Sequence, residues 1–80
     1  MTRESIFEQL TEIFRDIFDD EEIVLSDETT ADDIEDWDSL EQINLLVAIE
    51  KHFNIKFKLD EVSHLANVGD MADLVMKLVG

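Results

Sequence analysis

Apolar residues recur at helical spacing from the start of the chain: Ile6, Leu10, Ile13, Phe14 and Ile17 share a face, which Phe7 and Phe18 widen. The pattern predicts an amphipathic helix over about residues 3–18. Residues 19–38 carry Asp, Glu, Ser and Thr without such a stripe, so they are expected to form a long ordered loop pinned by Ile23, Leu25, Ile34 and Trp37. A second helix should start at Ser39, with Asp38 as N-cap, and run through Phe53 to a stop at Asn54. Leu59 to Leu65 reads as a short helical turn or two started by Asp60. Asn67 and Asp70 then make a capping arrangement, with Asp where Glu or Gln is usual. Val68, Met71, Ala72, Val75, Leu78 and Val79 supply the stripe of a last helix. The expected fold is all-α, four helices with a long first loop and a short third helix, in one domain spanning 1–80.

The second helix carries two apolar arcs. At about 100° per residue, Leu45, Leu46, Ile49 and Phe53 lie on one broad face that must pack on the other helices. Leu40, Ile43 and Val47 fall on another. A small bundle cannot easily bury both, so the second arc is either covered by the long loop or left open to partners. Bordered by Glu41 and Asn44, an open arc would be an apolar centre with an acidic rim, suited to a basic partner.

Charge sharpens that picture. The formal net charge is −15, and between Arg15 and Lys51 there is no Lys or Arg at all. Such a field repels nucleic-acid phosphates and anionic membrane surfaces and steers basic proteins toward the acidic stretch, over a Debye length of ~8 Å. The same residues would also serve solubility alone. An EF-hand reading of the run from Asp27 fails, because its sixth position is Asp32 rather than Gly. His52 and His64 have no Cys or nearby His partner, so no metal site is expected. Met71 and Met76 are expected to pack the core. Without Cys, any thiol chemistry must come from a cofactor. With no signal-type apolar run and no stretch of ~20 apolar residues, the expected compartment is the cytoplasm. A chain this short buries only roughly 60–65% of its unfolded surface, which favours a scaffold over a self-sufficient enzyme.

Ser39 is the residue with chemical promise. At the start of a helix, unpaired N–H groups and the positive end of the macrodipole favour a phosphate ester. No activating base is near: His52 lies more than three turns further along the same helix, and His64 in the third segment. Asp38-Ser39-Leu40 alone is an ordinary N-cap sequence.

The context decides. Asp32-Asp33-Ile34-Glu35-Asp36-Trp37-Asp38-Ser39-Leu40-Glu41-Gln42-Ile43-Asn44-Leu45-Leu46, continuing to Ile49-Glu50 and to Phe53, Ile55 and Phe57, resembles the acyl carrier protein family. The likeness extends through Val68, Asp70, Met71 and Leu74. It implies a four-helix bundle of acyl-carrier type that is not itself an enzyme. It implies a 4'-phosphopantetheine arm on Ser39, flanked by Asp38 and Leu40 and transferred from coenzyme A by a magnesium-dependent phosphopantetheinyl transferase. It further implies that Glu41, Ile43, Asn44 and Val47 belong to the helix face recognised by that transferase and by acyl-loading and acyl-transferring enzymes with basic docking patches. Asn44, Lys51 and His52 stand where housekeeping fatty-acid carriers commonly have more acidic residues, the Pro frequent after the second helix is absent, and Lys58 occupies that region. These departures and Trp37 tilt the expectation toward a specialised pathway. The expected function is a stand-alone (type II) monomeric carrier of fatty-acyl, polyketide or related groups. The alternatives are an aminoacyl or D-alanyl carrier of the same fold, and an acidic helical interaction module without a prosthetic group, in which Ser39 is only a helix cap and a basic partner is bound directly.

Overall fold

The computed structural model describes residues 2–79. Helix α1 spans Arg3–Phe18, α2 Ser39–Phe53, α3 Leu59–Val62 and α4 Val68–Val79, with a single 3-10 turn at Ala31–Asp33 inside the long first loop. Thr2 caps α1 by accepting from Ser5 N at 3.1 Å. The helix ends at Asp19, whose left-handed backbone (φ 49°) is one that Asp tolerates better than most side chains. Asn54 ends α2 in the same way (φ 57°), as expected of the residue read as its stop.

The core is built around α1, which packs on both α2 and α4. Ile6, Leu10 and Phe14 are fully buried with Leu45 and Ile49 of α2 and Val68, Ala72 and Val75 of α4, while Met71 is nearly so. Leu46, Phe53 and Met76 are partly buried against them. The first loop is pinned by the residues expected to pin it: Ile23 is buried, and Leu25, Ile34 and Trp37 pack against the core. Trp37 meets Phe14 edge-on with centroids 5.1 Å apart, a favourable arrangement for aromatic quadrupoles.

Polar ties complete the loop's attachment. Arg15 Nε donates to the Ile23 carbonyl at 2.9 Å. The first N–H groups of α4, which have no acceptor within the helix, donate to the loop instead: Val68 N to Thr29 O at 2.8 Å and Gly69 N to Asp27 O at 3.0 Å. Asp70 N donates to Asn67 Oδ1 at 2.9 Å, while the Asp70 carboxylate accepts from Ala66 N at 3.1 Å. The capping pair is therefore present, with its return bond one residue earlier than in a capping box.

The third helix differs from expectation. It starts at Leu59, one residue before Asp60, and ends at Val62. Asp60 is not its cap but lies in its first turn, where a carboxylate still complements the helix N-terminus. The return contact comes from Glu61, whose carboxylate accepts from Lys58 N at 3.1 Å. His52 and His64 are both exposed, with His52 hydrogen-bonded to Gln9 across to α1 at 2.7 Å. No helix among the described residues is long and apolar enough to cross a membrane.

Candidate functional site

The site begins with the way α2 starts. Asp38 holds an extended backbone (φ −108°, ψ −172°), and its Oδ1 accepts from Glu41 N at 2.8 Å. Ser39 is thereby the first helical residue, exposed, and its hydroxyl makes no hydrogen bond to any described residue. A free Oγ beside unpaired backbone N–H groups can be esterified, and a phosphodiester formed there would sit in the favourable field of the helix N-terminus. No base is at hand. His52 is thirteen residues along the same helix, about 20 Å at 1.5 Å per residue.

The second arc of α2 is open to solvent. Leu40 is 66% exposed, Ile43 60% and Val47 43%, whereas Leu45 and Ile49 are fully buried. Of the two readings left open by the sequence, cover by the loop is the one the structure does not adopt. Asn44 is exposed, and its Nδ2 donates to Glu41 Oε1 at 3.3 Å, so the two polar residues form a linked border beside the apolar patch. The structure thus brings Asp38, Ser39, Leu40, Glu41, Ile43, Asn44 and Val47 onto the first three turns of one helix and its cap.

One feature of the site was missed by sequence reasoning. An open cavity of about 350 Å³ lies beside Ser39, between Trp37, Asp38 and Gln42 on one side and Leu65, Ala66, Asn67 and Met71 on the other. Trp37 Nε1 donates to Gln42 Oε1 at its edge. The position of Gln42, one turn beyond Ser39, was the available signal, but nothing in the sequence tells that Trp37 turns toward it.

Comparison with known proteins agrees with this geometry. A family profile described as a phosphopantetheine attachment site matches residues 8–75. An acyl carrier protein of Petrotoga mobilis (strain DSM 10674 / SJ95) is 33% identical over 76 residues, covering 94% of this chain and 88% of that protein. The solution NMR structure of a holo acyl carrier protein from Geobacter metallireducens is 55% identical and superposes with a TM-score of 0.88, covering 91% of this chain and 84% of that one. The chain therefore belongs to the acyl carrier protein family, whose prosthetic group is a covalently attached 4'-phosphopantetheine.

Proposed function

We propose that this protein is a single-domain, stand-alone (type II) carrier that holds acyl intermediates on a phosphopantetheine arm at Ser39. It is a tethered substrate holder, and the chemistry takes place on other enzymes. The observation that carries the reading is the exposed, unpartnered Ser39 hydroxyl at the head of α2, next to an exposed apolar arc. When attached, the arm supplies the thiol that the Cys-free chain lacks, and with it the thioester. Ser39 Oγ is the nucleophile that forms the new ester bond to the pantetheine-bearing phosphorus of coenzyme A as the phosphoanhydride bond breaks and adenosine 3',5'-bisphosphate leaves. With the Asp38 carboxylate committed to the helix cap and no histidine near Ser39, its proton is taken by a phosphopantetheinyl transferase. Asp38 fixes the helix start, and Leu40 borders the attachment point.

Leu40, Ile43 and Val47, with Glu41 and Asn44 at their border, form the face offered to that transferase and to acyl-loading and acyl-transferring enzymes with basic docking patches. A net charge of −15 steers such partners and opposes binding to nucleic acid or anionic membrane. The protein works as a monomer in the cytoplasm, in fatty-acid, polyketide or a related biosynthesis.

Wild type and Ser39→Ala are incubated with coenzyme A, magnesium and a promiscuous transferase, and intact masses are compared. Wild type should gain one phosphopantetheine and the alanine variant none, with helical circular dichroism unchanged. Asp38 still caps the helix, and Ala is a good helix former, so the stability change should stay within ~1 kcal/mol. Equal gain by both proteins, or gain by neither, would overturn attachment through Ser39.

A further inference from the structure

The exposed strip of α2 does not end at Val47. At about 100° per residue, Lys51 lies about 20° from Leu40, with Val47 about 20° to the other side, Asn44 within about 40° and Ile43 within about 60°. All five are exposed, so Lys51 stands near the midline of the arc, one turn beyond Val47 and about 16 Å along the axis from Leu40. His52, by contrast, is turned about 100° away from it and bonded to Gln9 of α1. No carboxylate is spaced along the helix to neutralise Lys51, because the residues three and four away are Val47, Ala48, Asn54 and Ile55. The adjacent Glu50 is engaged elsewhere, its Oε2 accepting from Phe57 N at 2.8 Å. No described residue pairs with the Lys51 ammonium. The sequence changes sign at the same point, since residues 16–50 contain no Lys or Arg and residues 51–58 no Asp or Glu. The strip therefore runs from Glu41 and Asn44 at the Ser39 end, over apolar side chains, to an uncompensated cation.

We propose that Lys51 is a specificity-determining contact of this face: it selects a partner protein whose apolar docking ridge is basic where it meets Glu41 and carries an Asp or Glu carboxylate about 15 Å further along α2, and it disfavours a ridge that is basic throughout. The proposal rests on docking through the Leu40, Ile43 and Val47 arc of a carrier loaded at Ser39. The Lys51 stem extends the apolar strip while its head stays in water, so a partner laid along α2 meets both. A base opposite it would be a like charge well inside the Debye length of ~8 Å, whereas a carboxylate would pair with it. The net charge of −15 attracts basic surfaces from a distance whatever their pattern, and the reversal at Lys51 decides among them on contact. Lys51 also lies in the last turn of α2, where a cation complements the helix dipole. That role alone would act on stability and leave the choice between partners unmoved.

The test uses full-length protein as substrate for a broad-specificity phosphopantetheinyl transferase with a basic docking patch, and for variants of that enzyme in which one patch Lys or Arg at a time becomes Glu. Wild type, Lys51→Gln and Lys51→Glu, each checked for helix by circular dichroism, are compared by kcat/KM at low and high salt. With the unmodified patch, Lys51→Glu should react faster than Lys51→Gln, and Lys51→Gln faster than wild type, by about 1.5- to 5-fold per step, the range of one exposed charge pair. High salt should shrink these differences. With Glu at the patch position facing the end of α2, the order should invert. The proposal is overturned if all three proteins react equally with every form of the patch, if wild type is fastest with the unmodified patch, or if no patch variant inverts the order. A wild type that gains no arm sinks the carrier reading, and normal transfer to Ile43→Asp sinks docking through the arc, each taking this proposal with it. An arm gained by wild type and slowed by Ile43→Asp, yet indifferent to Lys51, sinks this proposal alone.

Discussion

Gly69 lies so close to Asp27 that a Cβ on the glycine would stand 2.8 Å from the Asp27 carbonyl oxygen, the same oxygen that accepts from Gly69 N at 3.0 Å. Glycine is normally unfavourable within a helix, by about 1 kcal/mol relative to Ala. Here it permits the first loop to approach the first turn of α4 and satisfy that turn's N–H groups. Gly69→Ala should therefore destabilise despite its better helix propensity. The obstructing atoms include backbone of Asp27, so the loop must shift and weaken the neighbouring Val68 to Thr29 bond as well. Overpacking of this kind typically costs about 1–3 kcal/mol, so after the propensity gain a net loss of up to about 2 kcal/mol is expected in urea unfolding. A variant as stable as wild type would show that the loop does not depend on this approach.

Asp27 is also where Arg3 engages the loop. The Arg3 guanidinium pairs with Asp27, donates from Nε to Asp73 Oδ1 at 3.0 Å and reaches the Gly69 carbonyl at 3.3 Å, so it joins α1, the loop and α4. The hydrogen bond from Arg3 is the main cause that holds the Asp27 carboxyl below its ordinary 3.8, while the same carboxylates push Arg3 up, leaving it charged throughout. A carboxyl lowered in the folded state contributes stability above its unfolded pKa and loses it as pH falls through the folded value. Arg3→Met keeps an unbranched stem of similar length and removes the guanidinium, whose Cζ lies 5.0 Å from the centre of the Phe7 ring. Its melting temperature should fall below wild type near neutral pH, and the gap should close below pH 3.8 and narrow in high salt. A gap independent of pH would assign the Arg3 contribution to packing.

How much of this was legible in the sequence depends on how far apart the partners are. The bounds of α1 and α2 follow from residues within one or two turns: a stripe, Asp38 as cap, Asn54 as stop. The existence of two arcs on α2 is likewise local, whereas which arc is covered depends on where residues 19–38 run. That route is set by the links from Arg3 to Asp27, Thr29 to Val68 and Asp27 to Gly69, which span 24 to 42 residues and leave no periodic trace. Within the loop, Thr30 and Asp33 did offer a local signal for the 3-10 turn, since the Asp33 carboxylate accepts from Thr30 N at 2.9 Å. The start of α3 was misplaced because Asp60 looks like a cap by type, while Glu61 makes the stabilising return bond from inside the turn. At the candidate site, Ser39 and its neighbours could be named because they share one helix. The cavity could not, because its opposite wall comes from Leu65, Ala66 and Asn67 and from Met71 of α4, more than twenty residues away.

The charge pattern predicts an unusual response to salt. Among the described residues the ion pairs are Arg3 with Asp27 and Asp73, and Lys77 with Glu61 at 3.9 Å. The carboxylates from Asp16 to Glu22 and from Asp32 to Asp38 therefore repel one another without a paired base. Raising ionic strength from about 0.01 M to 0.15 M shortens the Debye length from about 30 Å to about 8 Å. The melting temperature should rise, by about 4–8 °C for each kcal/mol of repulsion relieved. Millimolar magnesium should act in the same direction. A melting temperature that falls on adding salt would mean that screening of the Arg3 pairs outweighs relief among the carboxylates.

The two arcs of α2 give the most discriminating prediction, because the same substitution on one helix should have opposite consequences. Ile43 is 60% exposed, so Ile43→Asp adds a charge that remains in water, and stability should change by no more than about 0.5 kcal/mol. If Ile43 is a central contact for the transferase, losing it should lower transfer by about 30-fold or more, the equivalent of a 2 kcal/mol hot spot. Val47→Asp should act in the same sense and more weakly, since Val47 is smaller and only 43% exposed. Ile49 is fully buried against α1, so Ile49→Asp places an unpaired carboxylate in the core. That costs several kcal/mol, comparable with the whole stability of a small domain, and the variant should be unfolded by circular dichroism. Transfer rates for the folded Ile43 and Val47 variants are then measured against wild type at fixed salt, with Leu40→Asp as a third point on the same arc. Slow transfer to well-folded variants assigns the arc to docking. Normal transfer to all three moves the docking face elsewhere on the molecule, and unfolding by Ile43→Asp would mean that the arc is part of the core.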